Sequence, residues 1–160
     1  MKMLIIAVAL LFSCLPASSA EVTQWATATS KQEKTGRMIV FRYAKEFRKG
    51  FQTAKLPERV IIAWKYKSDT GMPSVEERKA MDRMEDLIAP LVDSAGVSVL
   101  SLVSTGENLR EWIFYAKSEQ GFFGELNAAL ARQPGFPIEI HVASDPTWET
   151  YRTFQKGVRE

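Results

Sequence analysis

The chain has 160 residues, 46% of them hydrophobic and 25% charged, with 21 Lys/Arg against 19 Asp/Glu. That is enough for one compact domain with a core of its own. A single cysteine, Cys14, and a single histidine, His141, exclude a disulfide framework and leave only carboxylates for metal chemistry.

The first twenty residues read as a secretory signal. Lys2 supplies the positive start, Leu4 to Leu15 an almost unbroken apolar run, and Pro16 its end. Ala17-Ser18-Ser19-Ala20 offers the small residues of a cleavage site, so cutting is expected after Ala20. The run is shorter than the roughly 20 apolar residues that span a bilayer. Leu11-Phe12-Ser13-Cys14 loosely resembles a lipoprotein processing site, an alternative that the bulky Phe12 and the nearby Pro16 disfavour. The expected division is a leader over 1–20 and a single α+β domain over 21–160, periplasmic or secreted, with no transmembrane segment. Without the leader the chain has no thiol, so packing alone must hold it.

The charge is divided unevenly. Residues 31–67 carry eleven Lys/Arg and three Glu, a net of +8, and residues 68–160 a net of −6. Such a division suits an anionic lipid or polymer surface, or an acidic partner.

Residues 22–29 are β-prone and are followed by a polar run. Thr35-Gly36 then opens a second strand from Arg37 to Tyr43, so the two read as a hairpin. Residues 44–57 show no clear period. Glu58 to Lys67 is the strongest strand, apolar on both faces in its interior as a central strand is. After the turn residues of 69–73, Ser74 and Glu77 form a capping box. The helix it opens carries Met81, Met84, Ile88 and Leu91 on one stripe, widened by Leu87, and is expected to bend or end near Pro90. Gly96 suits its C-terminal cap. Val97 to Val103 is a strand, Leu109 to Lys117 the next. A helix from Glu119 to about Arg132 presents Phe123, Leu126 and Leu130, and Phe136 to Ala143 is the final strand.

From Glu58 the order is β-α-β-β-α-β. This is the ferredoxin-like split βαβ pattern: an antiparallel sheet with both helices on one face, here with an additional N-terminal β-hairpin and a short C-terminal helix or turn. In that last element Asp145 can accept from helical N–H groups and Pro146 fits a first helical position. Trp148, Tyr151 and Phe154 then share one side, as a latch pressed onto the domain or as an aromatic ligand platform.

Asp145-Pro-Thr-Trp148-Glu-Thr-Tyr151, the strand containing Trp112-Ile-Phe-Tyr115-Ala and the capped acidic helix resemble the bacterial family known as domain of unknown function 695. The resemblance runs from about Trp25 to Phe154. It implies no activity. Some members are linked to a domain similar to the B-type regulator of ribonuclease E activity, and most look cytoplasmic, so the leader sets this chain apart from such a role.

Candidate chemistry is sparse. Glu139 and His141 alternate to the same face of their strand, opposite Ile138, Ile140 and Val142, and could act as a base and its orienting partner. Asp82, Glu85, Asp86 and Asp93 interleave with Arg78, Lys79 and Arg83, the pattern of a solvated helix face and not of a metal site. Met81 and Met84 belong to the apolar stripe. No phosphate loop and no nucleophile elbow are present, and neither cofactor nor metal is expected.

The central strands leave apolar side chains on the sheet face away from the helices. The hairpin or the C-terminal element covers them, or a second copy does, or a partner does. The leading reading is an exported, non-catalytic binding or regulatory domain. It would engage a protein partner, itself as a homodimer, or an anionic envelope polymer or lipid surface, through an open aromatic sheet face and the basic N-terminal half. Trp64, Tyr66, Tyr115, Arg37, Arg42 and Lys65 are its candidate contacts. The alternative is a small envelope hydrolase using Glu139 and His141. Nucleic acid would suit aromatic sheets with basic rims on this fold, but export argues against it.

Expressed with its own leader in a Gram-negative host, the protein should be recovered from the periplasm beginning at Glu21. N-terminal sequencing and mass spectrometry check this. Full-length chain in the cytosol, or lipid on Cys14, refutes it.

Overall fold

A computed structural model describes residues 20–94 and 96–158; the leader lies outside the described residues. The elements run β1 (Val22–Lys31), β2 (Met38–Phe47), β3 (Glu58–Lys65), α1 (Val75–Ser94), β4 (Ser98–Gly106), β5 (Leu109–Ala116), α2 (Glu119–Leu130), β6 (Ile138–Ser144) and α3 (Glu149–Gly157), with a single 3-10 turn at Thr53–Lys55. All strands join one antiparallel sheet in the order β1-β2-β4-β5-β3-β6. The last four places of that order are the split βαβ arrangement. The β1–β2 hairpin continues the sheet beyond β4, so β1 and β6 are its two edges.

Both helices α1 and α2 lie on one face, over Val60, Ile62, Trp64, Leu100, Val103, Trp112 and Phe114. The expected capping box forms: Glu77 N–H donates to Ser74 Oγ at 3.1 Å, and Ser74 N–H to Glu77 Oε2 at 3.3 Å. Three local expectations need correcting. The helix runs through Pro90 to Ser94. Proline removes one helical bond, here on an exposed side of the helix, which does not break it. The stripe closes with buried Val92 and leaves Leu91 exposed, because 81, 84, 88 and 92 follow the helical turn more closely. In α2 it is Phe122, not Phe123, that is fully buried; it packs 5.2 Å from Phe114, with Phe123 at the margin.

The opposite face carries a second core of Tyr43, Leu56, Val99, Leu102, Ile113, Tyr115, Trp148 and Tyr151. Here α3 and the connection after β2 close over the sheet, so the open aromatic face expected of the central strands is covered. The helix of α3 starts at Glu149, later than expected. Pro146 sits inside the turn closed by Trp148 N–H to Asp145 O at 3.0 Å, and Trp148 takes the left-handed φ of 57°. The preset φ of proline serves the second turn position as well as it serves a first helical one.

The hairpin is attached to the rest of the sheet by few pairs, Val40 to Tyr43 against Thr105 to Leu102. Glycine sets how closely it approaches. At Gly106 (φ 156°) a Cβ would lie 2.7 Å from Met38 O and 2.9 Å from Ile39 Cα. These are backbone atoms that cannot step aside. Gly106→Ala should therefore destabilise the protein by about 1–3 kcal/mol. Denaturant melts measure the loss, and hydrogen exchange should show it first in the hairpin amides. An unchanged midpoint with unchanged exchange refutes the close-approach account.

Candidate functional site

The latch determines one wall of a large groove. Asp145 accepts from Glu149 N–H at 2.7 Å and Thr150 N–H at 3.1 Å, two of the unpaired donors at the start of α3. It also accepts from Tyr115 Oη at 2.8 Å, and its own N–H donates to Pro57 O. Trp148 is 1% exposed. It lies flat on Tyr115, ring centroids 3.9 Å apart and planes 9° apart, and donates from Nε1 to Leu56 O at 2.9 Å. Tyr151 Oη donates to Ala44 O, which ties α3 to β2. Phe154 packs 5.1 Å from Phe41 and 5.2 Å from Tyr43. The latch reading of the sequence holds, and the aromatic-platform alternative has no exposed Trp148 to use.

Phe154 also forms the inner wall of a groove of about 830 Å³ between the hairpin and the end of α3. Phe41 and Tyr43 line it from β2, Thr153 and Val158 from the α3 side, and Lys45 is its one basic group. Residues 26–30 of β1 line it consecutively. Successive strand residues point to opposite faces, so five in a row place the groove at the strand's edge as well as on one face. The lining is alanine, hydroxyl and aromatic. Between Val22 and Ser30 the edge strand bears no charge.

The candidates from the sequence scatter over the fold. Trp64 and Tyr66 are buried in the helix-side core, and Tyr66 Oη donates to Gly71 O at 2.8 Å. Tyr115 is sealed beneath Trp148. None of the three presents a binding surface, because each faces a cover. The basic candidates are held within the molecule. Arg37 donates to Asp69 O at 2.9 Å, Arg42 to Glu85, and Lys65 to both oxygens of Glu139 at 2.9 and 3.0 Å. Glu139 and His141 do share a face, at 3.7 Å, but on the open surface of edge strand β6, with side chains 52% and 62% exposed. The hydrogen bond and charge of Lys65 hold the Glu139 carboxyl below its usual range, the opposite of the shift a general base needs.

Glu85, read from the sequence as part of a solvated face, is a junction instead. It accepts from Arg42 of the hairpin, from Arg110 Nη2 at 3.3 Å and from Trp112 Nε1 at 2.7 Å. Arg42 also lies 5.0 Å over the ring of Trp25. Helical spacing alone marks this position, since Glu85 lies four residues from buried Met81 and flanks the apolar stripe.

These observations define an α+β domain with a split βαβ core, lengthened by a hairpin and closed by a C-terminal latch. Residues 23–155 match the model of the family of unknown function (DUF695), and the chain belongs to that family. No curated protein matches the sequence. No helix among the described residues is long and apolar enough to cross a membrane.

The latch makes stability depend on pH in a defined direction. Burial pushes the Asp145 carboxyl up, but the hydrogen bonds from Tyr115 and from the amides of Glu149 and Thr150 outweigh it and hold it below its ordinary value. Its contribution is thus present above about pH 4 and is lost as pH falls through the lower folded value. Burial, followed by the charge of Tyr43, raises Tyr151 to about 12. That contribution is present below about pH 10 and disappears as pH rises towards 12. Tyr115→Phe removes the bond to the charged Asp145, worth about 1.5–3 kcal/mol at neutral pH, and with it the acceptor of the Tyr151 amide. It should move the acid unfolding midpoint upward while leaving the far-UV spectrum intact. An acid limb identical to wild type refutes the Asp145 account.

Proposed function

We propose that the protein is an exported, non-catalytic binding domain whose working surface is the groove and open edge of its N-terminal hairpin. Its partner chemistry is an extended polypeptide segment laid along β1. The observation that carries this reading is the continuous lining of the groove by five consecutive residues of an uncharged edge strand. Such an edge offers main-chain hydrogen bonds to an added strand, and the groove offers a place for its alternate side chains. The leader supports export, because cleavage after Ala20 leaves β1 whole, with Glu21 bound to Arg48 at 2.6 Å.

The phase of the strand makes the test specific. Gln32 N–H donates to Arg37 O at 2.8 Å, so bonded pairs alternate from there. Ser30, Ala28 and Ala26 turn their backbone groups to Ile39, Phe41 and Tyr43, while Lys31, Thr29 and Thr27 turn theirs outward. Thr27→Pro removes an outward donor and leaves the β1–β2 bonds in place. Short peptides selected from a random phage-displayed library against the purified protein are the probe. They should shift the amide resonances of Thr27 and Thr29, lose about tenfold or more in affinity on Thr27→Pro, and ignore His141→Ala. Binding indifferent to Thr27→Pro, or failure to select any peptide at this edge, refutes the reading.

A further inference from the structure

We infer that the segment laid on this edge is β1 of a second copy of the chain, paired antiparallel about a two-fold axis at Ala28; the inference rests on the edge-docking reading above. The regular part of β1, free of register shifts, is Trp25 to Lys31, and Ala28 is its centre. A two-fold axis there places the outward backbone groups of Thr27 against those of Thr29 in the other copy, and those of Trp25 against Lys31. Donors and acceptors therefore meet in phase without any change in either strand.

The side chains complement one another in the same register. Trp25, Thr27, Thr29 and Lys31 share the helix-side face, where Trp25 is 37% exposed and Arg42 already lies over its ring. The paired strand lays the methylene stem of Lys31 beside that ring and sets threonine against threonine, a favourable cross-strand pair. Ala26, Ala28 and Ser30 share the other face. Only small side chains meet there, Ala28 on Ala28 and Ala26 on Ser30, so the two grooves join into one trough over both copies. Residues 22–30 contribute no charge, and Arg42, which the incoming Lys31 approaches at the Trp25 ring, is paired with Glu85. The usual protections of a bare edge, an inward charge or a proline, are absent from this stretch.

Sedimentation of the purified protein at tens of micromolar should give twice the chain mass. The amides of Thr27 and Thr29 should exchange slowly there, and quickly on dilution. Joint Thr27→Lys and Thr29→Lys substitution opposes like charges across the axis, so it should give a monomer with an unchanged far-UV spectrum. In the chain beginning at Glu21, which has no other thiol, Ala28→Cys should cross-link copies under mild copper-phenanthroline oxidation. Directly opposed residues of a non-bonded pair lie about 4.5 Å apart, within disulfide reach. Thr23→Cys, beyond the regular stretch, should cross-link far more slowly. A monomer at every concentration overturns the inference, as does a dimer indifferent to the lysine pair. In a monomer, selected peptides that protect Thr27 and Thr29 leave the edge-docking reading standing. Amides unprotected with and without peptide overturn both.

Discussion

Strands β3 and β5 are apolar on both faces, and everything outside the sheet answers to that. Val60, Ile62, Trp112 and Phe114 point one way, Ile61, Ile113 and Tyr115 the other. Water would meet one set or the other in a two-layer α/β sandwich. The helices of the split βαβ core cover the first set. Among the described residues the second is covered by the connection after β2 and by the residues after β6. This is why the C-terminal segment is a helix at all. Nine residues are too few to hold a helix in water, where about 12–15 are marginal. Asp145 satisfies its first donors while Trp148 and Tyr151 bury their rings against Tyr115 and Phe47. Cap and packing therefore depend on each other, since Tyr115 Oη bonds both Asp145 and the Tyr151 amide.

The hairpin carries the sheet beyond the helix-covered core, with Phe41 and Tyr43 packed under α3. Helix α1 reaches it through Arg42 on Glu85, and α3 reaches it through Tyr151 on Ala44 and Phe154 on Phe41. The four residue pairs to β4, Arg37 on Asp69 O, Thr35 on Glu107 and the Phe47 ring against Trp148 and Tyr151 add to these ties. A part held by few backbone pairs and several side-chain ties opens locally more readily than the core does. It is also the part whose outer strand is an edge among the described residues, and the groove lies beside the end of α3 at Gly157. Cover and opening are thus two consequences of one short helix.

The element order was legible because it is written in strong, local signals. The capping box at Ser74 and Glu77, the two-faced apolar run of β3 and the Asp-Pro-x-Trp-x-x-Tyr close each announce themselves within a few residues. What escaped was decided by tertiary placement. Leu91 and Val92 are equally apolar, and the helix phase against β4 chooses Val92. Phe122 and Phe123 differ only in which of them meets Phe114. Glu85 reads as one acid among several until Arg42, 43 residues earlier in the chain, is brought beside it by the sheet. The candidates Trp64, Tyr66 and Tyr115 were chosen as aromatics on central strands, and centrality is the property that buried them. The groove had a signal that went unused: nine residues of β-prone sequence from Val22 to Ser30 without a charge, unusual for a strand at an edge.

That contrast with β6 argues for where the working surface is. Both are edge strands of one sheet, yet β6 carries Glu139 and His141 on its exposed face, with Lys65 of β3 reaching over to Glu139. Charges so placed oppose strand addition, because an incoming strand would have to desolvate or displace them. Between Val22 and Ser30 of β1 no charge stands, alanine and threonine alternate from Ala26 to Thr29, and a groove runs along the strand. One edge is guarded and the other is not. A sheet that needed only to remain single would guard both, and strand addition at β1, as proposed, accounts for the difference between the two ends.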